Sequence, residues 1–168
     1  MNLIKQAAVN ALRWYYTRRV RLAAERTGRV LRVNCFSRVT PRTWLGENVH
    51  FNGMQIQGVG RVQIGDNFHS GTDCLIICSS HNYDKSTLIP YDDVDVDKDV
   101  VIQDNVWLGS RVTIIGRVTI GEGAIIQAGS VVVKDVPYCG IAGGNPAKVF
   151  KTRDTAHYEK LKAAGKVR

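Results

Sequence analysis

The sequence predicts an all-β fold: a prism of short parallel strands with a helical segment at each end. Three observations carry that prediction. Branched aliphatic residues recur at every sixth position through the second half of the chain. Among 168 residues there are 16 glycines but only 4 prolines, a balance that suits many tight turns. Both chain ends lack the six-residue pattern and have helix-forming composition instead.

From Ile102 the chain divides without a gap into IQDNVW, LGSRVT, IIGRVT, IGEGAI, IQAGSV and VVKDVP. The first position is always Ile, Leu or Val. The fifth is Val106, Val112, Val118, Ala124, Ser130 and Val136, all small or β-branched. Turn-forming and small polar residues gather at positions two to four. This is neither the 3.6 period of a helix nor the plain alternation of a strand. Six residues make one short strand and one corner. Repetition stacks the strands in parallel around an axis filled by Ile, Leu and Val.

The same phase starts upstream at Val33, Val39 and Leu45. It slips near Gly58–Gly60 and resumes at Ile64, Ser70 and Ile76. Between Ser80 and Ile102 the register is lost in a stretch dense in Asp that contains Pro90. The expectation is a loop over residues 82–101 thrown out of the coil, a usual place for function. The predicted organisation is a basic helical segment over 1–30, the coil over 31–150 and a C-terminal helical tail over 151–168.

Residues 3–26 contain no Gly or Pro and favour a helix, with Leu3, Ala7, Ala11, Trp14, Tyr15 and Leu22 on one face. Packing on the open end of the prism is the expected use of that helix. A basic amphipathic helix on a membrane is the alternative. At the other end, DTAHYEKLKAAG opens on an Asp that can cap a helix and closes on Gly.

Charge is uneven. Residues 1–43 carry ten Lys or Arg against Glu25 alone, a net +9, whereas the rest holds thirteen bases and fourteen acids. A basic end on a neutral body points to an anionic partner such as a membrane surface, a phosphorylated substrate or nucleic acid. The arginines lack an aromatic reading surface and no nucleic-acid motif is present, which disfavours the last of these. Cys35, Cys74, Cys78 and Cys139 form no CxxC pair and are expected as free buried thiols in a reducing compartment. No apolar stretch is long enough to span a bilayer and no signal peptide is evident, so the expected location is cytoplasmic.

The hexads, the preceding IQDNVWLG, the histidine loop SSHNYD and the closing GAIIQAGSVVVKDVPYCGIAGGNPAKVFK together resemble the bacterial hexapeptide-repeat acyltransferases. Within them the nearest resemblance is to the maltose/galactoside acetyltransferase branch and to O-acetyltransferases of polysaccharide and lipopolysaccharide synthesis. It covers roughly residues 45–158. It implies a left-handed parallel β-helix with three hexads per turn, an exception to the right-handed crossover rule. It also implies a homotrimer with sites between neighbouring prisms, and acetyl-CoA as acyl donor with no metal required.

A sugar hydroxyl attacking a thioester needs a base, and neutral imidazole suits this near pH 7. The resemblance implies that His81 is that base. Its second ring nitrogen needs an acceptor. Asp84 is near in sequence, and Asp92 or Asp93 could reach back from the loop. The resemblance puts an oxyanion-binding backbone N–H near Gly109 or Ser110. It lays the pantetheine arm against Trp107, with contacts near Ser110 and Ala128, and the CoA phosphates near Lys134, Lys148 and Lys151. Asn52 is the candidate the resemblance implies for the acceptor site, and His69, Asp92 and Asp93 are further candidates to line it. His50, His69 and His157 show no ligand spacing with His81, so no metal is assigned.

The expected function is acetyl transfer to a saccharide hydroxyl, in surface polysaccharide or lipopolysaccharide synthesis. The basic N-terminus would face a membrane or a lipid-linked precursor at its inner side. The competing expectations are a small acceptor, such as an antibiotic or amino sugar, and a β-helix that only scaffolds an assembly.

Overall fold

The computed structural model describes residues 3–167, which form a three-faced coil of parallel strands between two helices. The first face stacks Arg26–Thr27, Thr43–Leu45, Val62–Ile64, Val100–Ile102 and Val118–Ile120. The second stacks Leu31–Cys35, Val49–Asn52, His69–Thr72, Trp107–Leu108, Ile125–Ile126 and Gly140–Gly144. The third stacks Gln55–Gln57, Leu75–Ile77, Thr113–Ile115 and Val131–Val132. The chain visits the faces in that order, turn after turn. Ala147–Thr152 then folds back antiparallel on the second face.

The six-residue period is the packing rule of this coil. The leading residues Ile102, Leu108, Ile114, Ile120, Ile126 and Val132 are all buried, as are the fifth-position residues Val106 to Val136. The upstream hexads obey it too: Val33, Val39 and Leu45 lead, and Ser37, Thr43 and Val49 fill the fifth place. The slip resolves into two steps. Phe51 lies beside Val33 and Ile56 beside Ile76, so one side of the coil uses five residues. The next, Ile56 to Ile64, uses eight and bulges at Gly58–Gly60. Burial of each such aliphatic side chain contributes about 1.5–3 kcal/mol.

Corners explain the polar residues between. Asn48, Asn67 and Asn105 all have φ near +55° (56°, 54° and 59°), the left-handed region that asparagine tolerates. Stacked at one edge, they form a ladder. Asn48 Nδ2 donates to Asn67 Oδ1 at 2.9 Å, and Asn67 Nδ2 to Asn105 Oδ1 at 3.0 Å. Each half-buried amide thus finds a partner one turn along. At the next edge, backbones approach so closely that a Cβ on Gly109 would stand 2.4 Å from Ala128 N.

Helix α1 (Leu3–Ala23) closes the N-terminal end of the coil. Its docking face differs from the one the sequence suggested. Val20 is buried and Tyr16 and Ala24 pack on the core, at a spacing of four. Ala7, Ala11, Trp14, Tyr15 and Leu22 are exposed. The helix rests by its last turns only, so the apolar residues of its earlier turns are not used. Thr17 Oγ1 accepts from Val33 N–H at 3.1 Å, satisfying a donor on the exposed sheet edge. No helix among the described residues is long and apolar enough to cross a membrane.

Helix α2 (Thr155–Ala163) starts as the sequence suggests: Asp154 Oδ1 accepts from His157 N–H at 2.9 Å. Cys74, Cys78 and Cys139 are buried, and burial pushes their thiols up. Cys35 is exposed, against the expectation of four buried thiols. It is the last paired residue of an edge strand, opposite Asn52, where no further turn covers it.

Candidate active site

The coil opens at one corner only to admit an arm. Lys98 N–H and Gly60 N–H both donate to Cys78 O at 3.0 Å, closing the neck. Within the arm, Ser79–His81 pairs antiparallel with Asp95–Asp97. Val100–Ile102 is already back on the first face, so the arm runs over 79–97 rather than 82–101.

His81 stands at the end of this hairpin, directly opposite Asp95. Its Nδ1 lies 3.2 Å from Asp95 Oδ1, and its ring stacks on Tyr91 with centroids 4.0 Å apart at 9°. Asp95 thus faces the Nδ1 side of the ring, and Nε2 lies on the side away from it. The imidazole is 53% exposed, so a substrate can reach it.

The carboxylate that meets His81 is therefore Asp95, not Asp84, Asp92 or Asp93. Asp84 and Asp93 are exposed. Asp92 is buried and organises the arm. It accepts from Asn82 Nδ2 at 3.2 and 3.0 Å, from Thr87 N–H at 3.1 Å and from Val94 N–H at 3.2 Å. The Thr87 amide foremost, with those of Val94 and Asn82, holds its carboxyl below the usual range. Those contacts occupy Asp92, which removes it from the expected substrate-binding set. The sequence missed Asp95 because cross-strand pairing, not nearness in the chain, brings it to His81.

A second group of residues lies on the second face. In-register pairing lines up Arg32, His50, His69, Trp107, Ile125, Ile141 and Lys151 as one outward strip. His50 and His69 rings are 4.2 Å apart. Trp107 is 55% exposed, an unusual solvent share for an indole. A cavity of about 500 Å³ is lined there by His69, Trp107, Ile125, Arg153, Lys162 and Lys166, among others.

Helix α2 forms the wall of that cavity. Asn105 Nδ2, the last rung of the asparagine ladder, donates to Tyr158 OH at 2.9 Å. Tyr158 OH donates to Glu122 Oε1 at 2.8 Å, and Lys162 Nζ lies 2.6 Å from the same oxygen. Burial alone would raise the Glu122 carboxyl, but the bonds from Lys162 and Tyr158 outweigh it and hold it low. The Glu122 contact raises Lys162 correspondingly.

The remaining expected residues divide by location. Gly109 and Ala128 lie side by side at the corner after Trp107, and Ser110 Oγ accepts from Thr72 N–H at 3.1 Å. Gly109 N–H donates to Ile126 O at 2.8 Å and is committed to the coil. Lys148 and Lys151 are exposed on the edge strand of the second face. Lys134 sits beyond Val131–Val132, at the corner between the third and first faces, so one chain does not bring it to the other two. The cations that line the cavity at Trp107 are Arg153, Lys162 and Lys166, which no six-residue pattern marks because the chain from Arg153 through α2 folds back across the face. Asn52 has both ends of its amide engaged: Oδ1 accepts from Asn34 Nδ2 at 2.8 Å, and Nδ2 donates to Ser70 O at 2.6 Å. These bonds make it a rung at this corner.

Comparison with known proteins agrees with this coil. Residues 99–134 match the family model described as bacterial transferase hexapeptide (six repeats). A Schizosaccharomyces pombe protein with a provisional acetyltransferase name is 36% identical over 63% of this chain and 54% of its own. A Saccharomyces cerevisiae protein named in the same way is 35% identical over 70% and 62%. The chain thus spans less than two thirds of the length of these curated relatives. Among solved structures, a maltose O-acetyltransferase from Clostridium difficile is 30% identical over 77% of this chain and 66% of its own, with a TM-score of 0.61. A Vibrio cholerae hexapeptide-repeat acetyltransferase, solved with acetyl-CoA, is 25% identical over 85% and 77%, with a TM-score of 0.67. A galactoside acetyltransferase in complex with coenzyme A gives 26%, 80%, 63% and 0.61. The repeat match, these relatives and the three-faced coil together show a hexapeptide-repeat coil similar to those of bacterial acetyltransferases.

Proposed function

We propose that the protein is an acyltransferase that moves the acetyl group of acetyl-CoA to a saccharide hydroxyl, with His81 as general base. The observation that carries this reading is the His81–Asp95 pair at the mouth of the arm, in a chain similar to acetyltransferases solved with acetyl-CoA or CoA.

The chemistry follows from the tautomer. Asp95 holds the proton on Nδ1, and Nε2 takes the proton of the attacking hydroxyl. The hydroxyl oxygen forms a bond to the thioester carbonyl carbon, and the carbon–sulfur bond breaks. The imidazolium returns its proton to the leaving thiolate, so His81 ends neutral. Tyr91 fixes the plane of the ring. Acetyl-CoA supplies the activated acetyl group. The apolar wall of Trp107 and Ile125 suits its long arm, and Arg153, Lys162 and Lys166 suit its phosphates.

His81 leaves the coil between the third and first faces, whereas Trp107 lies on the second. A complete site therefore needs the arm of one copy beside the second face of another, as in the trimer the family resemblance implies. The exposed Tyr83, Leu88 and Ile89 of the arm, 63%, 61% and 99% accessible, favour such a partner.

The test is a mass-spectrometric acceptor screen with acetyl-CoA, covering free and lipid-linked units of cell-surface polysaccharides. A mass gain of one acetyl on a saccharide, lost in His81→Ala while CoA binding persists, is expected. Acetylation of a small amine acceptor alone would overturn the saccharide reading, and unchanged turnover in His81→Ala would overturn the base.

A further inference from the structure

We infer that the cleft between α1 and the second face is a binding site for a phosphate-bearing saccharide. The cleft measures about 730 Å³. Its wall is one side of α1, where Arg13, Thr17 and Arg21 recur at intervals of four, beside Trp14 and Arg18. Its floor is Arg32, Asn34 and His50, which alternate outward from strands whose Leu31 and Val33 point into the core.

Four guanidinium groups line this cleft and no carboxylate does. Among the described residues, none of the ion pairs involves any of the four. Arg21 is held in place, donating to Thr27 Oγ1 at 3.2 Å, Gly28 O at 3.1 Å and Arg29 O at 2.5 Å. Like charges gathered without a counter-charge repel, and an anion removes that repulsion. Planar guanidinium groups match phosphate oxygens in pairs. Arg18 lies over the Trp14 ring at 5.6 Å, and the indole is 65% exposed. An exposed aromatic face beside arginines suits the apolar side of a sugar ring attached to the phosphate.

The position ties the cleft to the site. His50 lines the cleft and His69 lines the cavity at Trp107, and their rings are in contact. A ligand anchored by its phosphate among the arginines extends along the same outward strip toward Trp107. This last step rests on the acyltransferase reading. The binding of phosphate does not.

The test is calorimetric titration of the full chain with inorganic pyrophosphate, with CoA binding measured in parallel. Saturable binding is expected, weakened about tenfold or more in Arg13→Gln/Arg32→Gln. The control Arg117→Gln/Lys160→Gln, with equal loss of charge, should bind as the native chain does. Absent saturation, or equal weakening in both double variants, overturns the site. If CoA binding persists in that case, the acyltransferase reading survives without it. Cosedimentation with phosphatidylglycerol–phosphatidylcholine vesicles separates the sources of phosphate. Sedimentation competed by pyrophosphate assigns the site to a lipid-carried phosphate. Pyrophosphate binding without sedimentation assigns it to a soluble one.

Discussion

His81 and Asp95 are direct partners across a two-stranded hairpin, with Nδ1 and Oδ1 3.2 Å apart. The hairpin's register, rather than a tight loop, sets the orientation of the imidazole. Both side chains are about half exposed, so the pair contributes little to stability in water. Its value is directional: it leaves Nε2 pointing away from the carboxylate.

Replacing the acceptor should therefore affect catalysis more than folding. Asp95→Asn is expected to lower kcat by about 10- to 100-fold, with the KM for acetyl-CoA and the melting temperature unchanged. Asp95→Glu should recover part of the loss. Asp84→Asn should leave kcat as it is. Steady-state rates of CoA release on an acceptor identified by the screen give the readout. Equal rates in Asp95→Asn and the native chain would remove Asp95 from the mechanism.

Asp92 makes the order of the arm acid-sensitive. Its folded carboxyl titrates below the ordinary range, chiefly through the Thr87 amide. A depressed carboxyl contributes stability above its unfolded value, and that contribution disappears as pH falls through the folded one. The amide proton shifts of Thr87 and Val94 should thus hold steady down to the usual Asp range, near pH 4, and move only below it. In Asp92→Asn both shifts should lose this dependence at every pH. Titration of the native amides at or above the usual Asp range would show that Asp92 does not hold the arm.

Most of the coil was legible in the sequence because its rule is local. A residue six positions on meets the same corner one face later, so Ile102 to Val132 can be read without any tertiary knowledge. What the sequence concealed depends on distant pairing. Asp95 reaches His81 across a hairpin whose strands have no apolar alternation. Arg153, Lys162 and Lys166 come to Trp107 only because α2 folds back, held by the Asn105–Tyr158–Glu122 chain. The docking face of α1 is hidden in the sequence for a related reason. The broader apolar face of the isolated helix is not the one that the end of the coil accepts.

The axis of the prism should be intolerant of loss. Ile114 is fully buried between turns whose own leading residues, Ile76 and Val132, pair on either side. Ile114→Ala removes packed volume that the stacked turns cannot refill, at about 2–5 kcal/mol. Chemical denaturation should show the midpoint falling at unchanged slope. The exposed neighbour Ile115→Ala should cost far less, and a similar loss for both would contradict the inward–outward assignment.

The split between the arm and the second face makes the sharpest prediction. If one copy supplies His81 and its neighbour supplies Trp107, each site belongs to two chains. His81→Ala and Trp107→Ala should each be inactive as pure assemblies. Unfolded together in equal amounts and refolded, they should regain activity. Random mixing gives a native arm beside a native second face in about one site in four. Recovery near a quarter of the native rate is the expected result. A site contained within one chain would instead leave the mixture as inactive as its components, because no chain in it carries both residues.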